Sequence, residues 1–141
     1  VYYATILHAN NLKIAALLDS DTAGEQAAQQ ENLVHTVGNK NILRTKDFCA
    51  DISQPEIEDM LRDTLILIVK DEFGVDVIDI ANKQPTRSIV KIFIEKVENF
   101  SKYKLAKAYI KWTQNHTAEQ LSQKEVSQWN NMITSINKSL K

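Results

Sequence analysis

The sequence predicts an α/β fold: a partial parallel sheet flanked by helices, with a helical C-terminal extension. Three observations carry this. Leu12 to Leu18 is a continuous apolar run of strand length, as suits a parallel strand buried on both faces. The patterns around it run helix, strand, helix, strand, which is the order of an α/β layer. Only three glycines and two prolines leave few sharp turns, so the rest of the chain is expected to be mostly helical.

Taken in order, Val1 to Ala9 reads as the end of a helix, stopped at Asn10 and Asn11. The strand Leu12–Leu18 comes next. Ala23 to His35 is rich in Ala, Gln and Glu, all good helix formers, and Gly38 stands where a C-cap is wanted. Asn41 to Thr45 is the second strand. Ser53-Gln-Pro-Glu56 has capping-box spacing and is expected to open a helix running to about Asp71. In that helix Ile57, Met60, Leu61, Leu65, Ile68 and Val69 recur at helical spacing. Val75 to Ile80 fits either a short strand or a turn of helix. Pro85 and Thr86 start the next helix, "TRSIVKIFIEKVENF", and "KYKLAKAYIKWTQ" continues in kind. Thr117-Ala-Glu-Gln120 and Ser122-Gln-Lys-Glu125 repeat the capping-box spacing, and the second opens a C-terminal helix. The expected organisation is an α/β segment over residues 1–82 and a helical extension over 83–141, packed as one domain.

Composition excludes some classes. A length of 141 residues suffices for one domain with a real core. A net charge of −1 gives no global field drawing the chain to nucleic acid or membrane, although basic residues can still cluster on one face. No apolar run approaches a membrane span, and no signal peptide is expected. The lone Cys49 cannot form an internal disulfide, which points to a reducing compartment, the cytoplasm. The chain starts at Val1 within what already reads as structured sequence, so a fragment of a longer protein is expected.

The residues that invite a chemical reading are Asp19 and Asp21, in "ALLDSDTAGEQ". Ligands of α/β folds sit at the carboxyl ends of parallel strands. Residues two apart on a strand point the same way, so both carboxylates face one crevice if the strand continues through them. Two close carboxylates resist ionising together, and a divalent cation removes that conflict. Hard oxygen donors in this position favour Mg²⁺. Asp, Ser and Thr at a strand-to-helix junction are equally ordinary N-caps, and that reading stays open. An EF-hand is excluded, since its fifth and twelfth places, counted from Asp19, hold Ala23 and Gln30. A phosphatase of haloacid-dehalogenase type, with an Asp nucleophile, fits "ALLDSD" in part. The Toprim metal site, an Asp-x-Asp after a buried strand, fits as well.

The order "LHANNLKIAALLDSDTAGEQAAQQ", "NILRTKDF", "IEDML" and "SKYKLAKAYIKW" resembles the C-terminal Toprim region of OLD-family (overcoming lysogenization defect) endonucleases, bacterial proteins that join an ABC-type ATPase to a Toprim nuclease. The resemblance covers most of the chain in order of elements; its specific part is the strand ending in Asp19-Ser-Asp21. It implies a DNA endonuclease using Mg²⁺ or Mn²⁺. Asp19 and Asp21 would bind catalytic metal, and Glu58 and Asp59 would match the acidic pair near a second metal. Lys102 or Lys104 would match the lysine beside the scissile phosphate. A Toprim domain also needs a glutamate after its first strand and a Gly-rich element, both of which would lie upstream of Val1. The resemblance therefore implies the C-terminal part of the nuclease domain. The ATPase would lie elsewhere on the polypeptide, no ATP site would lie in this fragment, and any homo-oligomer would form through other regions.

Each remaining candidate has a plain structural alternative. Glu58 and Asp59 stand in the first turn of an expected helix, where acids complement the dipole. Lys102, Lys104, Lys107 and Lys111, interleaved with Tyr103, Tyr109 and Trp112, suit a phosphate backbone with base stacking, or an ordinary solvated face over a core. His8, His35 and His116 have no ligand spacing, and Cys49 reads as a small core residue. A non-catalytic helical interaction domain is the reading left if the Asp pair only caps a helix.

Overall fold

The computed structural model describes residues 2–141, so Val1, which the sequence places at the head of the first helix, lies outside the described residues. The protein is a mostly helical α/β structure, with eight α-helices and one two-stranded parallel sheet among the described residues. Helix α1 spans Tyr2–Ala9 and stops where Asn11 adopts a left-handed φ of 57°. Strands β1 (Ala16–Leu18) and β2 (Ile42–Arg44) pair in parallel, with Ala16 opposite Ile42 and Leu18 opposite Arg44. Both strands are shorter than expected, β1 than the apolar run Leu12–Leu18 and β2 than the segment Asn41–Thr45. A ladder extends only as far as both partners supply it, and Leu12 to Ala15 find no strand beside them.

The helix expected over Ala23–His35 is two helices, α2 (Thr22–Ala28) and α3 (Glu31–Val37), broken where Gln30 turns extended. Glutamine is a good helix former, so propensity does not make this break. Packing does: in one unbroken helix Ala28 would lie about 140° around from Leu33. The break lets Ala28, Leu33 and Val37 all be buried. Gly38 caps α3 with φ 80°, its N–H bonded to the Val34 carbonyl at 2.8 Å.

The Ser53 capping box does not form. The Ser53 N–H bonds Thr86 O, and the chain enters a 3-10 turn at Ile57–Leu61 whose cap is Glu56. The α-helix proper, α4, runs Arg62–Phe73 and ends at Gly74, in the left-handed region at φ 69°. The ambiguous Val75–Ile80 segment leads into a helix, α5 (Ile78–Lys83), with Asp76 Oδ1 accepting from the Ile78 N–H. Helix α6 (Ile89–Lys96) starts later than Pro85 suggests. Helix α7 (Lys102–Thr113) is capped by Ser101 and α8 (Gln123–Ser139) by Ser122.

The larger core joins α4, α5, α6 and α7 through Leu65, Ile68, Val69, Val77, Ala81, Ile89, Phe93, Leu105 and Ala108. It crosses residue 82, so the α/β segment and the helical extension share it. A smaller core of Cys49, Met60 and Met132, flanked by Trp129 and Ile136, seats α8 against the 3-10 turn. Glu125 fastens the same contact: it is 2% exposed, and its carboxylate accepts from Thr64 N, Thr64 Oγ1 and Ser122 N, each at 2.9 Å. No helix among the described residues is long and apolar enough to cross a membrane.

Candidate acidic site at the end of the sheet

The site starts from the residue between the two aspartates. Ser20 is buried, and its N–H donates to Pro55 O at 3.0 Å and to Thr45 Oγ1 at 2.9 Å. Its hydroxyl accepts from the Lys46 N–H at 2.9 Å. Thr45, also buried, donates to Pro55 O at 2.5 Å. Ser20 thus pins the end of β1 to the end of β2 and to the Pro55 loop. The strand ends at Leu18, so the alternation that would carry Asp19 and Asp21 onto one face stops short of them. Both are half-buried, and each is held by its own amide.

Asp21 is the N-cap of α2, accepting from the Gly24 N–H at 2.7 Å. Asp19 Oδ1 accepts from the Ile57 N–H at 2.9 Å, where the 3-10 turn begins. Each aspartate therefore gives one oxygen to a helix-start amide, and among the described residues no hydrogen bond engages the other oxygen. Burial foremost raises the Asp19 carboxyl above its ordinary range, and Glu58 and Asp21 push the same way. The Ile57 amide and Lys102 oppose them. The Ile57 bond brings Asp19 to the turn that carries Glu58, and Glu58 in turn meets Lys102.

Lys102 enters from the first turn of α7. Its Nζ lies 2.5 Å from Glu56 Oε2 and 3.0 Å from Glu58 Oε1. Burial by itself would lower this ammonium; the two glutamates outweigh burial and hold it above the usual lysine range. A cavity of about 160 Å³ opens beside the pair, lined by Ile57, Glu58, Leu61, Leu65, Lys102 and Tyr109 among others. Lys104 points elsewhere, its Nζ bonding Asn99 O at 2.9 Å. A helix turns it about 200° from Lys102, so of the two lysines only Lys102 meets the acids.

Asp59 is placed apart from this group. It is 2% exposed; Oδ1 accepts from the Ile89 N–H at 2.7 Å and Oδ2 from the Glu56 N–H at 2.9 Å. Arg62 stands 3.8 Å away and itself donates to the carbonyls of Ala81, Gln84 and Arg87. Asp59 thus joins the 3-10 turn to the start of α6, and both of its oxygens are taken.

Asp19, Asp21 and Glu58 offer the hard oxygens that suit Mg²⁺, an ion commonly held by one or two carboxylates with water and phosphate completing its shell. Among the described residues no group of three or more His, Cys, Asp and Glu side chains is arranged to hold a metal by itself. The donors fit the ion in kind, then, and only as part of a shell that other groups complete. Sequence reasoning passed over Ser20 and Thr45, whose signal was a small polar residue at the end of each strand. It read Glu56 only as a capping residue, whereas Glu56 makes the shortest contact to Lys102. Compared with protein-family models, with curated proteins and with solved structures, the chain matches none.

Proposed function

We propose that this chain is the C-terminal part of a Toprim-type, metal-dependent DNA nuclease, hydrolysing phosphodiesters, within an ATPase-nuclease of OLD type. One arrangement supports the reading: two aspartates follow a parallel strand, Asp19 bonds the Ile57 amide next to Glu58, and Glu58 pairs with Lys102 from a helix start. Asp19 and Asp21, with Glu58 across from them, would hold Mg²⁺ or Mn²⁺. When bound, such an ion supplies Lewis-acid polarisation of the phosphate and a more acidic water. The protein's own part is positional. The pinned Ser20 holds the two aspartates at the strand end, and Glu56 and Glu58 hold the Lys102 ammonium beside them. That cation then meets the charge that grows on the phosphate oxygens in the transition state. Asp59 has no place in this scheme and serves the fold.

The test is cleavage of supercoiled DNA with Mn²⁺ by the full-length protein. Asp19→Asn and Lys102→Ala are expected to lower the rate by about a hundredfold or more, by analogy with lost oxyanion donors. Lys104→Ala should cleave as the wild type does. Unchanged cleavage in Asp19→Asn would overturn the reading.

A second reading has its own observation. Both aspartates accept amides at helix starts, Gly24 for Asp21 and Ile57 for Asp19. If these bonds are their whole purpose, the chain is a non-catalytic interaction domain. Asp21→Ser then separates the two: serine keeps the cap and removes the charge, so unimpaired cleavage in Asp21→Ser favours the interaction domain, and lost cleavage with an intact fold favours the metal site.

A further inference from the structure

A second concavity lies at the opposite end of the sheet. It is a groove of about 730 Å³ between α1, the approach to β1, α3 and the end of α8. Lys13 and Ile14 precede β1, and Lys40 and Asn41 precede β2, so the groove opens at the amino ends of the strands. The acidic site lies at their carboxyl ends. The two are separate surfaces, and the chemistry of the groove is independent of any nuclease activity at the other end.

The groove has a definite character. Lys13, Lys40, Lys138 and Lys141 line it, and among the described residues no Asp or Glu does. In a chain of net charge −1 this is a local positive excess. Lys13 Nζ bonds the main-chain oxygen of Lys141. Lys40 and Lys138 are exposed and form no ion pair among the described residues. Aliphatic side chains share this lining: Leu12, 54% exposed, the half-buried Ile14 and Leu43, and the buried Val37. Gathered like charges repel one another, and an anion seated among them relieves that cost. Exposed aliphatic surface calls for an apolar partner. One occupant meets both demands only if it carries acidic groups and an apolar face together.

We propose that this groove docks an acidic amphipathic helix of a partner protein, with its aliphatic stripe on Leu12, Ile14 and Leu43 and its carboxylates toward Lys40 and Lys138. Helix-in-groove recognition uses this division, with apolar anchors at i, i+3, i+4 and i+7 and charges at the rim. The groove is less suited to nucleic acid. Single strands bind by stacking bases on aromatic rings, and phosphates are best gripped by the arginine fork. Among the described residues no Phe, Tyr, Trp or Arg lines this groove, and His8 is the one ring that does. A sugar-phosphate backbone would also lie polar against the aliphatic floor.

The experiment is fluorescence anisotropy on the full-length protein with three labelled probes. The first is a helical peptide of about 16 residues, Leu at i, i+3, i+4 and i+7 positions and Glu elsewhere. The second carries Gln in place of Glu, and the third is a single-stranded oligonucleotide. The Glu peptide should bind saturably, weaken with salt, and bind at least about tenfold more tightly than the Gln peptide. Lys40→Glu combined with Lys138→Glu should weaken it about tenfold or more, with an unchanged circular-dichroism spectrum. Leu12→Gln, at an exposed position, should weaken both peptides. No saturable binding of the Glu peptide up to about 1 mM, or binding indifferent to the paired lysine change, overturns the proposal. So does tighter binding of the oligonucleotide that depends on the same two lysines, because the groove would then be a nucleic-acid surface.

Discussion

Lys102 Nζ lies 3.0 Å from Glu58 Oε1, across 44 residues of sequence. With Glu56 at 2.5 Å on its other side, the lysine neutralises an acidic group that would otherwise be uncompensated beside Asp19. The cation therefore stands where added positive charge is most welcome.

Removing it should expose that demand. Lys102→Ala leaves Asp19, Glu56 and Glu58 facing one another. About 10 mM Mg²⁺ is expected to raise the melting temperature of Lys102→Ala by more than it raises that of wild type, since binding only to the folded state stabilises it. Differential scanning fluorimetry measures this directly. Equal shifts in the two proteins would mean that the acids do not gather a cation.

The β1–α2 turn should tolerate no side chain at Gly24. A Cβ there would stand 1.8 Å from the Asp19 carbonyl oxygen, a main-chain atom that cannot swing away. Gly24→Ala is expected to cost about 3 kcal/mol or displace the start of α2. Chemical denaturation should show the loss. A fully stable Gly24→Ala protein would mean that α2 starts differently.

Two neighbouring acids should part company on mutation. Asp59→Asn gives up a buried carboxylate that serves two amides and is expected to destabilise by about 2–4 kcal/mol. Glu58→Gln touches a partly exposed pair and should change stability by less than about 1 kcal/mol, while weakening any Mn²⁺ binding seen by electron paramagnetic resonance. The opposite pattern would reverse the roles given to the two residues.

Cys49 should be silent in the folded protein. It is fully buried, Gln128 Nε2 lies 3.3 Å from its sulfur, and burial pushes its thiol up to about 12. At pH 8 a thiol reagent should label it only after denaturation. The linkage to stability has a definite sign. Above the ordinary thiol value near 9 the unfolded chain loses a proton that the folded chain keeps. Stability should therefore fall as pH rises from about 9 toward 12, by about 1 kcal/mol at pH 10. Rapid labelling of the native protein at pH 8 would contradict this.

By itself the sequence determined what depends on neighbours along the chain. The serine caps of α7 and α8 and the glycine at the end of α3 are local signals, and each sits where the signal lies. The apolar run before Asp19 and the periodic stretch from Ile57 hold only in part, as a strand over Ala16–Leu18 that is not buried and a helix that starts at Arg62. Tertiary structure decided whatever depends on a distant partner. Ser53 carries a capping pattern and does not cap, because its amide is held by Thr86 O. Helices α2 and α3 divide against glutamine's own preference, and Ala28, Leu33 and Val37 are all buried. Glu125 reads as a local cap for α8, and only the packed structure shows the same carboxylate capping Thr64 at the start of α4. Asp59 and Glu58 are adjacent in sequence and similar in charge. One turns inward to backbone amides and the other outward to Lys102, because successive residues of a tight helical turn face different surroundings.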